Sequence, residues 1–184
     1  METQGNGWSL QMTKMLRIYF VSLLIVTCVV VILCSPVSIV ALSEERGTWL
    51  RVPAPLGQML VTSYTHSVQK TPVQDEYVLS GGWIWQWQEK SKSHNAGLPT
   101  EPPRNGSFRN ETGWFVFRGG RMKWKTLVIR VGSNRIGLNR IVFAPPWDDM
   151  SYDLFEVLPE RIVYLQVYEM PFVEGVLRKS IPAW

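Results

Sequence analysis

The chain has 184 residues, a formal charge of +4 and only 18% charged residues; this profile argues against a disordered chain and against a strongly nucleic-acid-binding one. Nine Trp, seven Phe and six Tyr point instead to a folded, β-rich domain. Both cysteines, Cys28 and Cys34, lie in the N-terminal apolar stretch. The chain beyond them therefore holds no disulfide, no thiolate metal site and no cysteine nucleophile.

Residues 18–42 are 25 positions without a charge, long enough to cross a bilayer as a helix. Lys14 and Arg17 precede them; Glu44 and Glu45 follow. With positive residues held inside, residues 1–17 are expected in the cytoplasm, 18–42 as a transmembrane signal anchor, and 44–184 as an exported β domain. A long signal peptide is the alternative: residues 18–33 would be its apolar region, Pro36 the helix stop, and Ala41-Leu42-Ser43 a small-x-small cleavage site. Continuation of the apolar run through Ile39-Val40-Ala41-Leu42 favours the anchor. Thr27 and Leu33 stand before the cysteines, where a lipoprotein signal wants a small residue.

Downstream the pattern has period two, the mark of strands. Leu60, Thr62, Tyr64 and His66 alternate with Met59, Val61, Ser63 and Thr65. A Ser-Val-Gln-Lys-Thr connector leads to Pro72 and a second strand. Trp83, Trp85 and Trp87 alternate with Ile84, Gln86 and Gln88. Residues 93–113, rich in Pro, Gly, Asn and Thr, read as a long loop with room for one short strand. Further strands are expected at 114–117, 126–131 and 162–168, with Pro145-Pro146 closing another. Ser151 is placed to cap a short helix over 151–158. Gly81-Gly82 and Gly119-Gly120 suit two-residue hairpin turns, and Gly132-Ser133-Asn134 a third turn. The expected fold is mainly β, an antiparallel sandwich or small barrel behind one transmembrane helix.

Residues 104–140 carry nine basic residues against Glu111 alone, whereas the flanking segments are net acidic. Arg118, Arg121, Lys123 and Lys125, interleaved with Trp124, are a candidate contact surface for anionic head groups or an acidic partner, or a solvated hairpin. Export argues against nucleic acid as the partner. The three indoles Trp83, Trp85 and Trp87 are either core or, if exposed, a stacking platform or lipid-interface belt. His66 and Ser67, with Asp75 or Glu76 to orient the ring, have the composition of a nucleophile–base pair. In a strand, however, neighbouring side chains point to opposite faces, and no Gly-x-Ser-x-Gly elbow occurs. His66 is therefore expected as a structural histidine at a strand end. His66, His94, Asp75 and Glu76 could supply metal ligands, but 28 residues between the histidines matches no local motif, and neither metal nor cofactor is expected.

Residues 64–77, Y-T-H-S-V-Q-K-T-P-V-Q-D-E-Y, followed by N-A-G-L-P at 95–99, resemble a small uncharacterised bacterial family, number 1850 among the domains of unknown function. His66, Ser67, Val68, Pro72, Val73, Glu76, Gly97, Leu98 and Pro99 match its pattern; Asn95 replaces a usual Gly, and Asn also tolerates positive φ. The resemblance spans roughly residues 53–143. It implies a bacterial, membrane-anchored, extracytoplasmic protein, often encoded beside tripartite (TRAP) transporters of the TAXI type. The leading expectation is a non-catalytic accessory that contacts a transporter permease or its substrate-binding protein. The alternative is a small-molecule or lipid-binding domain, with His66, Glu76, Trp85 and His94 around a pocket under the 93–113 loop. A hydrolase is the third.

Overall fold

The computed structural model describes residues 5–54, 57–93, 97–120, 122–143 and 150–178. The first element is a long helix, α1 (Gly5–Cys34). Its stretch Lys14–Cys34 is long and apolar enough to cross a membrane and is buried against nothing in the protein; at 1.5 Å per residue it extends about 31 Å. Helical backbone is disfavoured at the residue before a proline, and α1 stops one residue short of Ser35-Pro36. The Ser35 hydroxyl donates to the Val31 carbonyl (2.7 Å).

Strand β1 (Pro36–Glu44) begins at once, and its Ile39, Val40, Ala41 and Leu42 are buried. This redraws the expected 18–42 span: the apolar run is two elements, a helix to Cys34 and a strand from Pro36. An unbroken apolar run reads alike for a membrane helix and for a strand covered on both faces. The β domain accordingly starts at Pro36, not at residue 44.

β1 is a central strand of a four-stranded antiparallel sheet. It lies between β2 (Gly47–Ala54) and β12 (Ile162–Pro171), and β9 (Thr126–Arg130) borders β12. A larger sheet faces it. Its strands are β3 (Gln58–Thr65), β4 (Pro72–Ser80), β5 (Trp83–Ser91), β6 (Ser107–Glu111), β7 (Trp114–Arg118), β8 (Lys123–Trp124), β10 (Gly137–Phe143) and β11 (Met150–Asp153). Its order is β11-β10-β3-β4-β5-β7-β6, with β8 also paired to β5. Val40, Leu42, Leu50, Val52, Val163 and Leu165 from the smaller sheet meet Leu60, Tyr77, Leu79, Ile84, Ile141 and Phe143 from the larger in one core. These are alternate positions of their strands, as period two requires. The two sheets stay open at their edges, so the fold is a sandwich, not a closed barrel.

The turns follow glycine chemistry in part. Gly81 and Gly82 have φ of 60° and 64°, the two-residue hairpin geometry expected between β4 and β5. Gly119-Gly120 is not a hairpin: β7 and β8 both pair with β5. There the missing side chains let another segment approach; a Cβ on Gly120 would lie 2.8 Å from Pro103 Cβ. The expected short strand inside the long loop is β6. The expected 151–158 helix is shorter, α2 (Leu154–Val157), and Ser151 belongs to β11. Asp153 precedes α2 without capping it by its side chain; its carboxylate takes two hydrogen bonds from Arg140 (2.5 and 2.9 Å) instead. Pro145-Pro146 lies outside the described residues. A last helix, α3 (Phe172–Leu177), follows β12 and packs on β1 beside the end of α1.

Candidate functional site

The β3–β4 connection holds His66 but not as part of a constellation. β3 ends at Thr65, so His66 stands at the strand end and Ser67 in the turn that follows. The His66 N–H donates to the Thr71 carbonyl, and the Lys70 N–H to the His66 carbonyl (both 2.9 Å). The imidazole Nδ1 accepts from the Val68 and Gln69 N–H groups (3.3 and 3.2 Å). The ring thus satisfies the turn's own backbone, the same service an Asx side chain gives. Thr65 pairs with Pro72 and Val61 with Glu76. Glu76 therefore lies level with Val61, five residues from His66 and about 16 Å along the strand. The structure does not bring His66 and Glu76 together.

Glu76 faces away from the core yet is only 7% exposed, because neighbouring strands close over it. Lys90 ion-pairs with it at 2.5 Å and the Gln88 amide donates to it at 2.6 Å. The Gln88 carbonyl accepts two hydrogen bonds from Arg118 (2.9 and 2.7 Å). One expected contact residue, Arg118, is thereby tied into a four-residue polar network. His94 and Arg121 lie outside the described residues.

The indoles are not core. A register shift between Glu76 and Tyr77 leaves Trp87 as the extra residue of a bulge in β5, where it is 49% exposed. Trp83 and Trp85 point away from fully buried Ile84. Lys123 lies over both rings (4.4 and 4.8 Å to the centroids) and Lys125 over Trp83 (4.2 Å). Trp85 Nε1 also donates to the Ser80 carbonyl (3.3 Å). Trp83, Trp85, Lys123 and Lys125 therefore form a cation–indole ladder on the outer face.

Between the sheets, where β9 faces β3, β4 and β10, a cleft of about 250 Å³ opens. Leu127, Ile129 and Ile141 give it apolar walls; Tyr64, Asp75 and Tyr77 line it with polar groups. Asp75 sits between Thr62 and Glu89 in cross-strand register, and no salt bridge reaches it among the described residues. Burial, reinforced by Glu89, pushes its carboxyl up to about 7; burial raises Glu89 as well. Tyr64 is raised to about 12 by burial and then by Asp75 and Glu89. Burial and Asp75 hold the Tyr77 phenol higher still, against a Thr62 hydrogen bond that lowers it. The cleft can thus offer a protonated carboxyl and phenols as hydrogen-bond donors near neutral pH. Among the described residues no cluster of three or more His, Cys, Asp or Glu is placed to hold a metal ion.

Residues 64–77, which carry the sequence resemblance, form the end of β3, the His66 turn and most of β4, along one wall of this cleft. Residues 60–144 match the family model described as a domain of unknown function (DUF1850). Over this segment the chain is similar to the DUF1850 family. No curated protein and no solved structure matches the chain. The DUF1850 segment covers nearly all of β3 and every strand through β10. That is most of the larger sheet plus β9. β1, β2 and β12, which cover the inner face of that sheet, lie outside the segment. The cleft was legible in one signal only: Thr62, Tyr64 and Asp75 occupy inward positions of strands whose other inward residues are apolar. Polar groups on a core face ask for a reason.

Proposed function

We propose that the protein is a single-pass module of the cytoplasmic membrane, N-terminus inside and DUF1850 sandwich outside, that acts as a non-catalytic accessory of a TRAP-type uptake system. The observation that carries this reading is the junction. A helix able to span the bilayer passes into a buried central strand with Ser35 alone between them. The Phe172 N–H donates to the Ser35 carbonyl (3.0 Å), which ties the end of the neighbouring strand β12 to that junction. A domain so held has no flexible tether and presents fixed faces to neighbours in the membrane. The transporter as neighbour is supported by the family resemblance alone. The test is purification of the full chain in mild detergent from its native membrane. A permease or substrate-binding protein should co-purify; recovery of the intact chain with neither ends the proposal.

The cleft at Asp75 favours a second reading, a small-ligand site. Thermal-shift titrations at pH 6 and pH 8 with organic anions and lipids test it: a shift lost in Asp75→Asn supports it, and no shift at millimolar ligand removes it.

A further inference from the structure

We propose that the end of the sandwich next to α1 is a lipid-contact foot, resting on the head-group layer of the leaflet from which α1 emerges. This rests on the membrane-anchored reading and adds to it an orientation and a surface.

Five contacts fix where that end lies. Pro36 pairs with Pro171 and Ser38 with Glu169, so β1 and β12 leave the helix junction together. The Phe172 N–H donates to the Ser35 carbonyl (3.0 Å), which starts α3 level with the top of α1. The Gly82 N–H donates to the buried Ser38 hydroxyl (3.2 Å), and Lys125 donates to the Gly82 carbonyl (2.6 Å). The β4–β5 turn and the start of the cation–indole ladder are thereby pinned to a residue three positions beyond Ser35, about 10 Å along the strand. A span of about 31 Å consumes the hydrocarbon core, and the head-group zone adds roughly 5–7 Å per leaflet. α3 then falls inside that zone and Trp83 at its outer margin. Lys123 and Lys125 lie about one Debye length, roughly 8 Å, from the phosphates.

The chemistry of this end suits that position. α3 buries Gly175 against Ile39, where even a Cβ would come within 2.6 Å of Cδ1, and turns Val173, Val176 and Leu177 outward. Val173, Val176 and Leu177 are 38%, 45% and 80% exposed. Three exposed aliphatics on so short a helix suit the acyl boundary beside a membrane span, and its Arg178–Glu174 ion pair (2.9 Å) suits the head-group layer. Beside it stand indoles under lysines, the residue pairing that belongs at head-group level. The lysines add attraction for anionic lipids.

The full chain, reconstituted in nanodiscs of phosphatidylcholine with anionic phosphatidylglycerol, tests this by nitroxide accessibility to oxygen and to a water-soluble nickel complex. Cys28, labelled in a Cys34→Ser chain, reports whether α1 is in the bilayer. In a Cys28→Ser/Cys34→Ser background, Leu177→Cys and Lys123→Cys report the foot, and Glu45→Cys, at the far end of β1, reports open water. A lipid-contact foot gives oxygen-rich, nickel-poor access at position 177, reduced nickel access at 123, and full nickel access at 45. Water-like access at 177 and 123 with Cys28 in the bilayer overturns the foot and leaves the anchor standing. Parallel loss of oxygen and nickel access, the sign of a second copy covering the surface, also overturns it. A water-exposed Cys28 removes the anchored reading itself.

Discussion

Cutting the chain after Ser43, as leader cleavage at Ala41-Leu42-Ser43 would, removes β1 up to its last residue. Ile39, Val40 and Leu42 are at most 1% exposed, and fully burying side chains of this size stabilises by about 1.5–3 kcal/mol each. Their loss costs about 5–9 kcal/mol before any hydrogen bond is counted, against a total stability of about 5–15 kcal/mol for an ordinary domain. β2 and β12 also lose the strand between them and are left as unpaired edges. A chain of residues 44–184 is therefore expected not to fold, while residues 35–184, which keep β1, fold cooperatively. Thermal melts of both, followed by far-ultraviolet circular dichroism with a urea titration alongside, check this. A cooperative melt of 44–184 within a few degrees of 35–184 would refute the placement of β1 at the centre of its sheet.

Three further outcomes follow from particular residues. Gly132→Ala should destabilise by about 2–4 kcal/mol, because its Cβ would come within 1.9 Å of the Ile136 carbonyl oxygen; a wild-type urea midpoint would contradict that turn. Asp75 binds a proton more tightly folded than unfolded, so its share of stability is complete below about pH 4 and is lost as pH rises through about 7. Asp75→Asn should flatten the fall in melting temperature between those values and melt higher than wild type at pH 8, and an unchanged slope would show that Asp75 is not held protonated beside Glu89. Glu76→Ala strands Lys90 and Gln88 in a mostly closed site and should cost about 2–4 kcal/mol, whereas Arg140→Ala breaks an exposed pair with Asp153 and should cost less than about 1 kcal/mol; equal losses in the two denaturation curves would invert the burial argument.

Where one physical signal dominated, the sequence was readable. Alternation of apolar and polar residues located β3, β5, β7, β9 and β12, because a half-buried strand must repeat every second residue. Gly81-Gly82 marked its hairpin because both positions need positive φ. The errors fell where two causes write the same letters. Residues 36–42 are apolar because β1 is covered on one face by the core and on the other by α3, and this imitates a continued membrane helix. Gly119-Gly120 is small to admit Pro103, not to turn a hairpin. At the candidate site, His66 and Glu76 stood out by residue type, but their separation depends on β3–β4 register, which a sequence does not print. The bulge at Trp87 likewise depends on a register shift between β4 and β5. Asp75 was visible only as an acid, because its raised proton affinity comes from burial between the sheets and then from Glu89 on the next strand.

The placement of the sandwich outside the membrane on an uncleaved anchor is tested most directly by protease treatment of intact spheroplasts, followed by a carbonate wash and intact-mass measurement of untreated chain from the membrane pellet. The untreated chain should stay in the pellet at its full mass, and added protease should reach the sandwich without lysis. A chain released into the wash with its first 34 or more residues missing, or a sandwich protected until the spheroplasts are broken, would contradict it.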